Sequence, residues 1–308
     1  RGELDTPQGV HAWILKGPIS QDSAIVVWTD RLESHETESI RMFLGSRRIQ
    51  SVDAFGNARD VQLVDGLHVF TPTEMPVFIE NVNLEVAQFR SVFALDSNFL
   101  TAQNQMHQHA FVVHNPWNTT ITGELIVTDP ADLDISPRTI PFDIRAGKTV
   151  RLPVQIVVGR NVLGGPKTIK TRAIISADHD YTLDLQTKVE VGLLNVKFTA
   201  SWGQAISVQS GQRNLIVTQT VTNTGSDVIN LDVFIMAPDI QFHRRRLPPL
   251  SPGESATRRF NLGQSASPAT AMQIRVGVEE RDGSARLNRL MTIPVAENSV
   301  RTAQVIDP

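Results

Sequence analysis

The chain has 308 residues, 41% of them hydrophobic and 20% charged, with a formal net charge of −3. That length suits two or three domains of about 100 residues with ordinary cores, and the charge balance gives no electrostatic footprint for nucleic acid. The lack of cysteine excludes disulfide frameworks, thiolate nucleophiles and zinc ribbons, and no stretch approaches the roughly 20 apolar residues of a membrane-spanning helix.

Short β-branched runs recur at roughly 8–12 residue intervals between turn signals, the rhythm of β-sandwiches. In chain order the first ninety residues read as strands Val10–Lys16, Ser23–Thr29, Ile40–Leu44, Arg48–Ala54, Val61–Val64, Leu67–Thr71, Val77–Glu80 and Leu84–Phe89. Turn chemistry separates them at Gly17–Pro18, Gly45–Ser46, Gly56–Asn57, Asp65–Gly66 and Pro72. Asp65–Gly66 is the sharpest hairpin signal, because both residues tolerate a positive φ. A helical period is hard to find, and Glu36–Leu44 is long enough for no more than a turn or two.

A repeat follows. His109–Val158 and Val217–Leu262 each open on an alternating strand that closes in Asn (Asn115, Asn223). A small polar turn, a second alternating strand, a Pro-containing segment and a Gly turn (Gly147, Gly253) come next in both. The two Asn are 108 positions apart and the two Gly 106, the size of one immunoglobulin-like domain. The expected fold is therefore all-β: three tandem β-sandwiches over residues 1–92, 93–196 and 197–308, the last two immunoglobulin-like. The segment Lys188–Ala200 lacks Pro, Ser and charge runs, so one strand is expected to feed the next sandwich directly.

Candidate chemistry is sparse. Asp53 and Asn57 flank Gly56, which reads as a self-bonded turn with a calcium site as the alternative. His107 and His109 share one face of a strand and form the possible metal pair, although no third ligand stands at strand spacing. Asp178–His179–Asp180 reads as a hairpin tip, and Arg244–Arg245–Arg246 as a solvated basic run. Trp13 and Trp28 lie in apolar strands and are expected in the core, and Trp202 stands near the start of the third sandwich; Trp117, in a turn, is the best candidate for a ligand contact, with packing at a domain junction as the favoured reading. There is no G-x-S-x-G elbow, phosphate-binding glycine loop or H-E-x-x-H motif. No cofactor is expected, and the roles of Asn115, Gly147, Asn223 and Gly253 are read as structural turns.

Val113–His114–Asn115 and Val221–Thr222–Asn223–Thr224–Gly225 resemble the strand ends of bacterial immunoglobulin-like modules of the alpha-galactosidase-associated (NEW-type) and CARDB families, often found beside glycosidase domains. The first copy departs from the pattern, with Pro116–Trp117 in place of the Gly turn. Ala24–Asp30, Val52–Asn57 and Pro76–Glu80 are similar, in order and spacing, to the β-sandwich that follows glycosidase barrels. That resemblance implies a catalytic domain upstream in the same polypeptide and catalytic carboxylates outside this chain. The chain begins at Arg1 rather than Met, and is expected to be an excerpt whose targeting signal lies upstream. The expectation is a non-catalytic accessory or scaffolding region of an exported carbohydrate-active protein, secreted, periplasmic or on the cell surface. The alternatives are an adhesion module for a cell-surface polysaccharide or protein, and a free-standing glycosidase.

Overall fold

The computed structural model describes residues 2–7, 9–16, 23–30, 39–45, 48–206, 213–237, 240–263, 271–294 and 303–304. The predicted turn Gly17–Pro18, residues 36–38 of the Glu36–Leu44 segment and most of the tail after Glu297 lie outside them, while Ile40–Met42 of that segment is strand rather than a helical turn. Strand accounts for 63% of the chain and helix for 3%, so the fold is all-β, with several sheets arranged as sandwiches. The chain divides into two compact units: residues 1–98, 107–156 and 167–189 form the first, and residues 99–106, 157–166 and 190–308 the second.

Unit 1 begins with an antiparallel sheet in the order Val10–Lys16, Ser23–Thr29, Val77–Glu80, Gln50–Val52, Ala58–Asp60. A small sheet of Ile40–Met42, Leu67–Phe70 and Gln62–Val64 accompanies it. Strict alternation sends Ala12, Ile14, Ile25, Val27 and Ile79 into one core with Ile40, Met42 and Leu44. The same parity turns Trp13 and Trp28 outward, which corrects their expected place in the core: Trp13 is 39% exposed, Leu15 38%, and Trp28 half-buried. In each strand the inward positions went to smaller residues, Ala12 and Val27 among them, so the indoles had only the outer face.

Leu84–Phe89 is not a strand but the start of the helix Leu84–Val92. Asn83 caps it, its side chain accepting the Val86 N–H at 2.8 Å, with Glu85 in the first turn and Arg90 in the last complementing the helix dipole. Val86, Phe89 and Arg90 recur at helical spacing and are buried. Arg90 pairs with Asp5 at 2.9 Å and donates to the Asp184 carbonyl at 2.8 Å, while Asp5 also accepts the Gln186 N–H at 3.1 Å. The buried pair thus fastens the N-terminal segment and the helix to the strand Asp180–Gly192. Burial pushes the Asp5 carboxyl up, against the opposing pull of the Arg90 charge.

The rest of unit 1 is built on the strands Met106–His114, Ile121–Asp129, Thr139–Ile144 and Thr149–Val157, with the long strands Gly165–Ser176 and Asp180–Gly192. Alternating burial along Thr139–Ile144 and Gly165–Ser176 marks one face of each as core. Unit 2 has one sheet ordered Ser255–Asn261, Arg213–Asn223, Val196–Ile206, Ala303–Gln304 and another ordered Ile240–Arg246, Leu231–Ala237, Met272–Glu280, Arg286–Ile293. Its core includes Phe198, Val217, Val221, Val233, Ile235, Phe260, Val276 and Val278.

The two repeated asparagines are fully buried and make matching bonds. Asn115 Nδ2 donates to the carbonyls of Thr119 (2.8 Å) and Ile144 (2.7 Å), and its Oδ1 accepts the Trp117 N–H (2.9 Å). Asn223 Nδ2 donates to the carbonyls of Asp227 (2.7 Å) and Leu250 (2.9 Å), and its Oδ1 accepts the Gly225 N–H (2.9 Å). The backbone of each Asn pairs with the glycine turn, from Gly147 N and to Lys148 O in unit 1, from Gly253 N and to Glu254 O in unit 2. Both glycines hold a positive φ, +66° and +79°. Each Asn therefore ties a strand end, the turn after it and a distant hairpin at one point.

Candidate functional site

Asp53 is consumed by its own turn. Its Oδ1 accepts the Phe55 and Asn57 N–H groups and its Oδ2 the Asn57 side-chain amide, all at 2.9 Å, with Gly56 at φ +85°. The Asn57 side chain, then the backbone donors, hold the Asp53 carboxyl below the usual carboxylate range. Trp117 is only 4% exposed, so it packs rather than presenting itself as a contact residue. Its ring packs on Phe89 and Tyr181, with centroids 5.8 and 5.4 Å away, so no indole face is offered to a ligand.

His107 and His109 lie with ring centroids 6.4 Å apart. His109 Nδ1 meets Asp96 Oδ1 at 3.0 Å, and Arg151 bonds the other Asp96 oxygen. Burial alone would push the Asp96 carboxyl up. The hydrogen bonds from His109 and from the Ala110 N–H, with the nearby positive charges, outweigh it and hold the carboxyl low. Among the described residues no group of three or more His, Asp and Glu side chains is placed to hold a metal ion. The Asp178–Asp180 segment is a hairpin tip in which Tyr181 Oη donates to Asp178 Oδ1 at 2.9 Å.

Two features were not expected from the sequence. The first is the outer face of the N-terminal sheet. His11 lies opposite Trp28 and Trp13 opposite Val26, and the His11 and Trp28 rings stack at 5.1 Å. His11 also meets Glu3 Oε1 at 3.2 Å and Asp30 Oδ2 at 3.4 Å, so carboxylates border an apolar strip of Trp13, Leu15 and Trp28.

The second is an arginine–carboxylate network in unit 2, on the sheet face opposite that of Val233, Ile235, Val276 and Val278. Asp232 and Glu279 are cross-strand partners there, and both are buried. Arg286 Nη1 donates to Glu279 Oε2 at 2.9 Å, and its guanidinium lies 4.0 Å from the Phe234 ring centroid. Arg244 Nη1 donates to Glu279 Oε1 at 3.1 Å while its Nε is 3.5 Å from Asp232 Oδ2. Arg281 donates to Asp232 Oδ1 at 3.4 Å and to the Leu247 carbonyl at 3.0 Å, and Arg160 Nη2 is 3.6 Å from Glu279 Oε2. Burial, with Arg160 and Arg275 nearby, pulls the Arg286 pKa down against the attraction of Glu279. An open depression of about 530 Å³ on the other sheet of unit 2 is bordered by Trp202, Arg245, Arg259 and Asn261. None of its described lining residues is Asp, Glu or His, so it assembles no acid–base pair.

No family model matches the chain, and no curated protein matches it. Among solved structures, it aligns with a red sea bream transglutaminase at 10% identity and TM-score 0.33, over 80% of this chain and 40% of that one. It aligns with Bacteroides uniformis beta-glucuronidase 2 at 12% identity and TM-score 0.28, over 62% of this chain and 26% of that one. A Porphyromonas gingivalis W83 protein of unknown function gives 13% identity and TM-score 0.25, over 64% and 94%. The chain spans less than half the length of the first two. At these scores the alignments mark distant β-rich proteins and carry nothing about function. No helix among the described residues is long and apolar enough to cross a membrane.

Proposed function

We propose that this chain is a non-catalytic accessory region of a larger, exported carbohydrate-active protein, and that its first sandwich docks the catalytic domain of the same polypeptide. The observation that carries the reading is the outer face of the N-terminal sheet. A one-sided antiparallel sheet ordinarily alternates to polar residues on its wet face, whereas here Trp13, Leu15 and Trp28 stand side by side on it. Contiguous exposed apolar surface of this kind marks a contact with something else. The occupant follows from the resemblance of Ala24–Asp30 and Pro76–Glu80 to sandwiches that pack after glycosidase barrels. The buttressed corners at Asn115 and Asn223 support the scaffolding half of the reading, because their buried polar groups serve strand geometry. Immunoglobulin-like modules of the CARDB kind fit these repeated corners.

The test is excision. Removing residues 1–308 from the whole polypeptide should lower the thermal midpoint of the remaining catalytic domain while sparing its chemistry on small soluble aryl-glycosides. Loss of chemistry in a folded remainder, or hydrolysis of the same panel by this chain alone, would place the active site here and end the reading. A second reading, a polysaccharide- or protein-binding adhesion module, is favoured by the same pair of outward indoles. Saturable binding of a neutral glycan that is lost in Trp13→Ser would select it.

A further inference from the structure

We propose that the outer arginine face of unit 2 binds an acidic polysaccharide, its carboxylate or sulfate groups seated on Arg160 and Arg244 and a sugar ring set against Phe242. The polysaccharide class rests on the carbohydrate-associated reading above; the anion chemistry rests on the geometry alone. Among the described residues, four guanidiniums, from Arg160, Arg244, Arg281 and Arg286, pair with two carboxylates, Asp232 and Glu279, leaving an excess of two positive charges. These arginines come from a loop, a strand, a turn and a second strand, so the fold gathers them from positions far apart in the chain.

The two carboxylates are buried and act as the floor. Arg281 and Arg286 are largely covered, whereas the side chains of Arg160 and Arg244 are 66% and 55% exposed. Arg160 meets Glu279 through one nitrogen and Arg244 uses two, and the remaining edges of these guanidiniums face solvent. Both contact the same carboxylate from different oxygens, which brings the two guanidiniums to one place. Arg244, held at two points, is partly pre-organised for a planar or tetrahedral oxyanion, so less of its side-chain entropy is lost on binding, while Arg160 adds a second charge beside it.

The neighbouring surface suits an extended ligand with apolar ring faces. Along one strand Phe242, Arg244 and Arg246 alternate onto the same side, at about 7 Å per pair of residues. Phe242 is exposed, its ring 5.7 Å from Phe234 and 6.0 Å from the Arg286 guanidinium, an aromatic edge beside the positive patch. The whole chain is slightly acidic, net −3, so it offers no diffuse attraction for polyanions in general. Recognition has to come from this local arrangement.

Calorimetric titration of the full chain with polygalacturonate, dextran sulfate, neutral dextran and a single-stranded DNA oligonucleotide tests this. Binding should appear with polygalacturonate or dextran sulfate, whichever oxyanion fits, and be absent with dextran and much weaker with DNA. Arg160→Gln/Arg244→Gln should weaken it by about tenfold or more. Because Arg244 also holds the two buried carboxylates, Arg246→Gln, which leaves every ion pair in place, should weaken binding at an unchanged melting temperature, and Phe242→Ser should weaken it with only a small loss of stability from the lost contact with Phe234. No binding to either charged polysaccharide, equal binding to DNA, or full affinity in all the variants would overturn the proposal. None of those results touches the accessory reading, which stands or falls on the excision experiment.

Discussion

Removing the side-chain amide of Asn223 should unfasten unit 2 at one point. In Asn223→Ala three hydrogen bonds disappear at once, one buried and two half-buried, leaving the carbonyls of Asp227 and Leu250 and the N–H of Gly225 without that partner. An orphaned buried group costs about 1–3 kcal/mol, but the Leu250 carbonyl keeps the Ile229 N–H and exposed Asp227 can turn to water, so about 3 kcal/mol is expected. For a unit of this size that is a fall of about 10 °C in melting temperature. Asn223→Asp is the sharper variant. It keeps the shape and the acceptor for Gly225 but has no N–H to give, and it sets a carboxylate against two carbonyl oxygens. Its loss should equal or exceed that of the alanine. Asn115→Ala should repeat the result in unit 1 through Thr119, Ile144 and Trp117. Urea unfolding followed by circular dichroism gives the free energies. Losses below about 1 kcal/mol in all three variants would refute the idea that these corners hold the sandwiches together.

Gly147→Ala and Gly253→Ala should each cost only about 1 kcal/mol, because φ is positive but nothing lies within 4 Å of an added Cβ. Gly277→Ala should be far worse, since its Cβ would run into the Leu287 carbonyl and the Phe234 ring; equal effects at the three sites in denaturant titrations would contradict this. Arg90→Met should destabilise by about 3–5 kcal/mol by stranding buried Asp5, and adding Asp5→Leu should recover most of that in a double-mutant cycle. The Asp96 carboxyl sits below its unfolded value, so its pairing contributes stability that is present above about pH 4 and lost as the pH falls through the folded value. Asp96→Asn should therefore lose less stability than the parent between about pH 6 and pH 3 in thermal melts.

Local patterns were legible where local physics decides them. Strands Val10–Lys16, Ser23–Thr29 and Val77–Glu80 stand where alternation and turn residues put them, and Asp65 and Gly66 take the positive φ their hairpin needs. Leu84–Phe89 went wrong because a short apolar run fits either period, and the Asn83 cap was the signal that could have settled it. Hydrophobicity alone sends Trp13 and Trp28 to the core, but strand parity decides, and Ala12 and Ile14 mark the opposite face as inward. The basic run Arg244–Arg246 was visible, but its carboxylate partners were not. Glu279 and Arg160 reach it only through strand pairing and a loop from far along the chain, which no window on the sequence joins. Trp117, after Asn115–Pro116 in a turn, fits either exposure or packing by sequence, and the aromatic cover from Phe89 and Tyr181 that decides it is likewise long-range.

The outward face of the first sandwich is proposed to meet a catalytic domain. The most direct measurement is differential scanning calorimetry of Trp13→Ser/Leu15→Ser, made both in the isolated chain and in the whole polypeptide. Both side chains already face outward, so the isolated chain should melt as the parent does, within about 1 kcal/mol. In the whole polypeptide the catalytic domain's transition should move down and separate from that of this chain. An unchanged transition in the whole polypeptide would contradict the central claim.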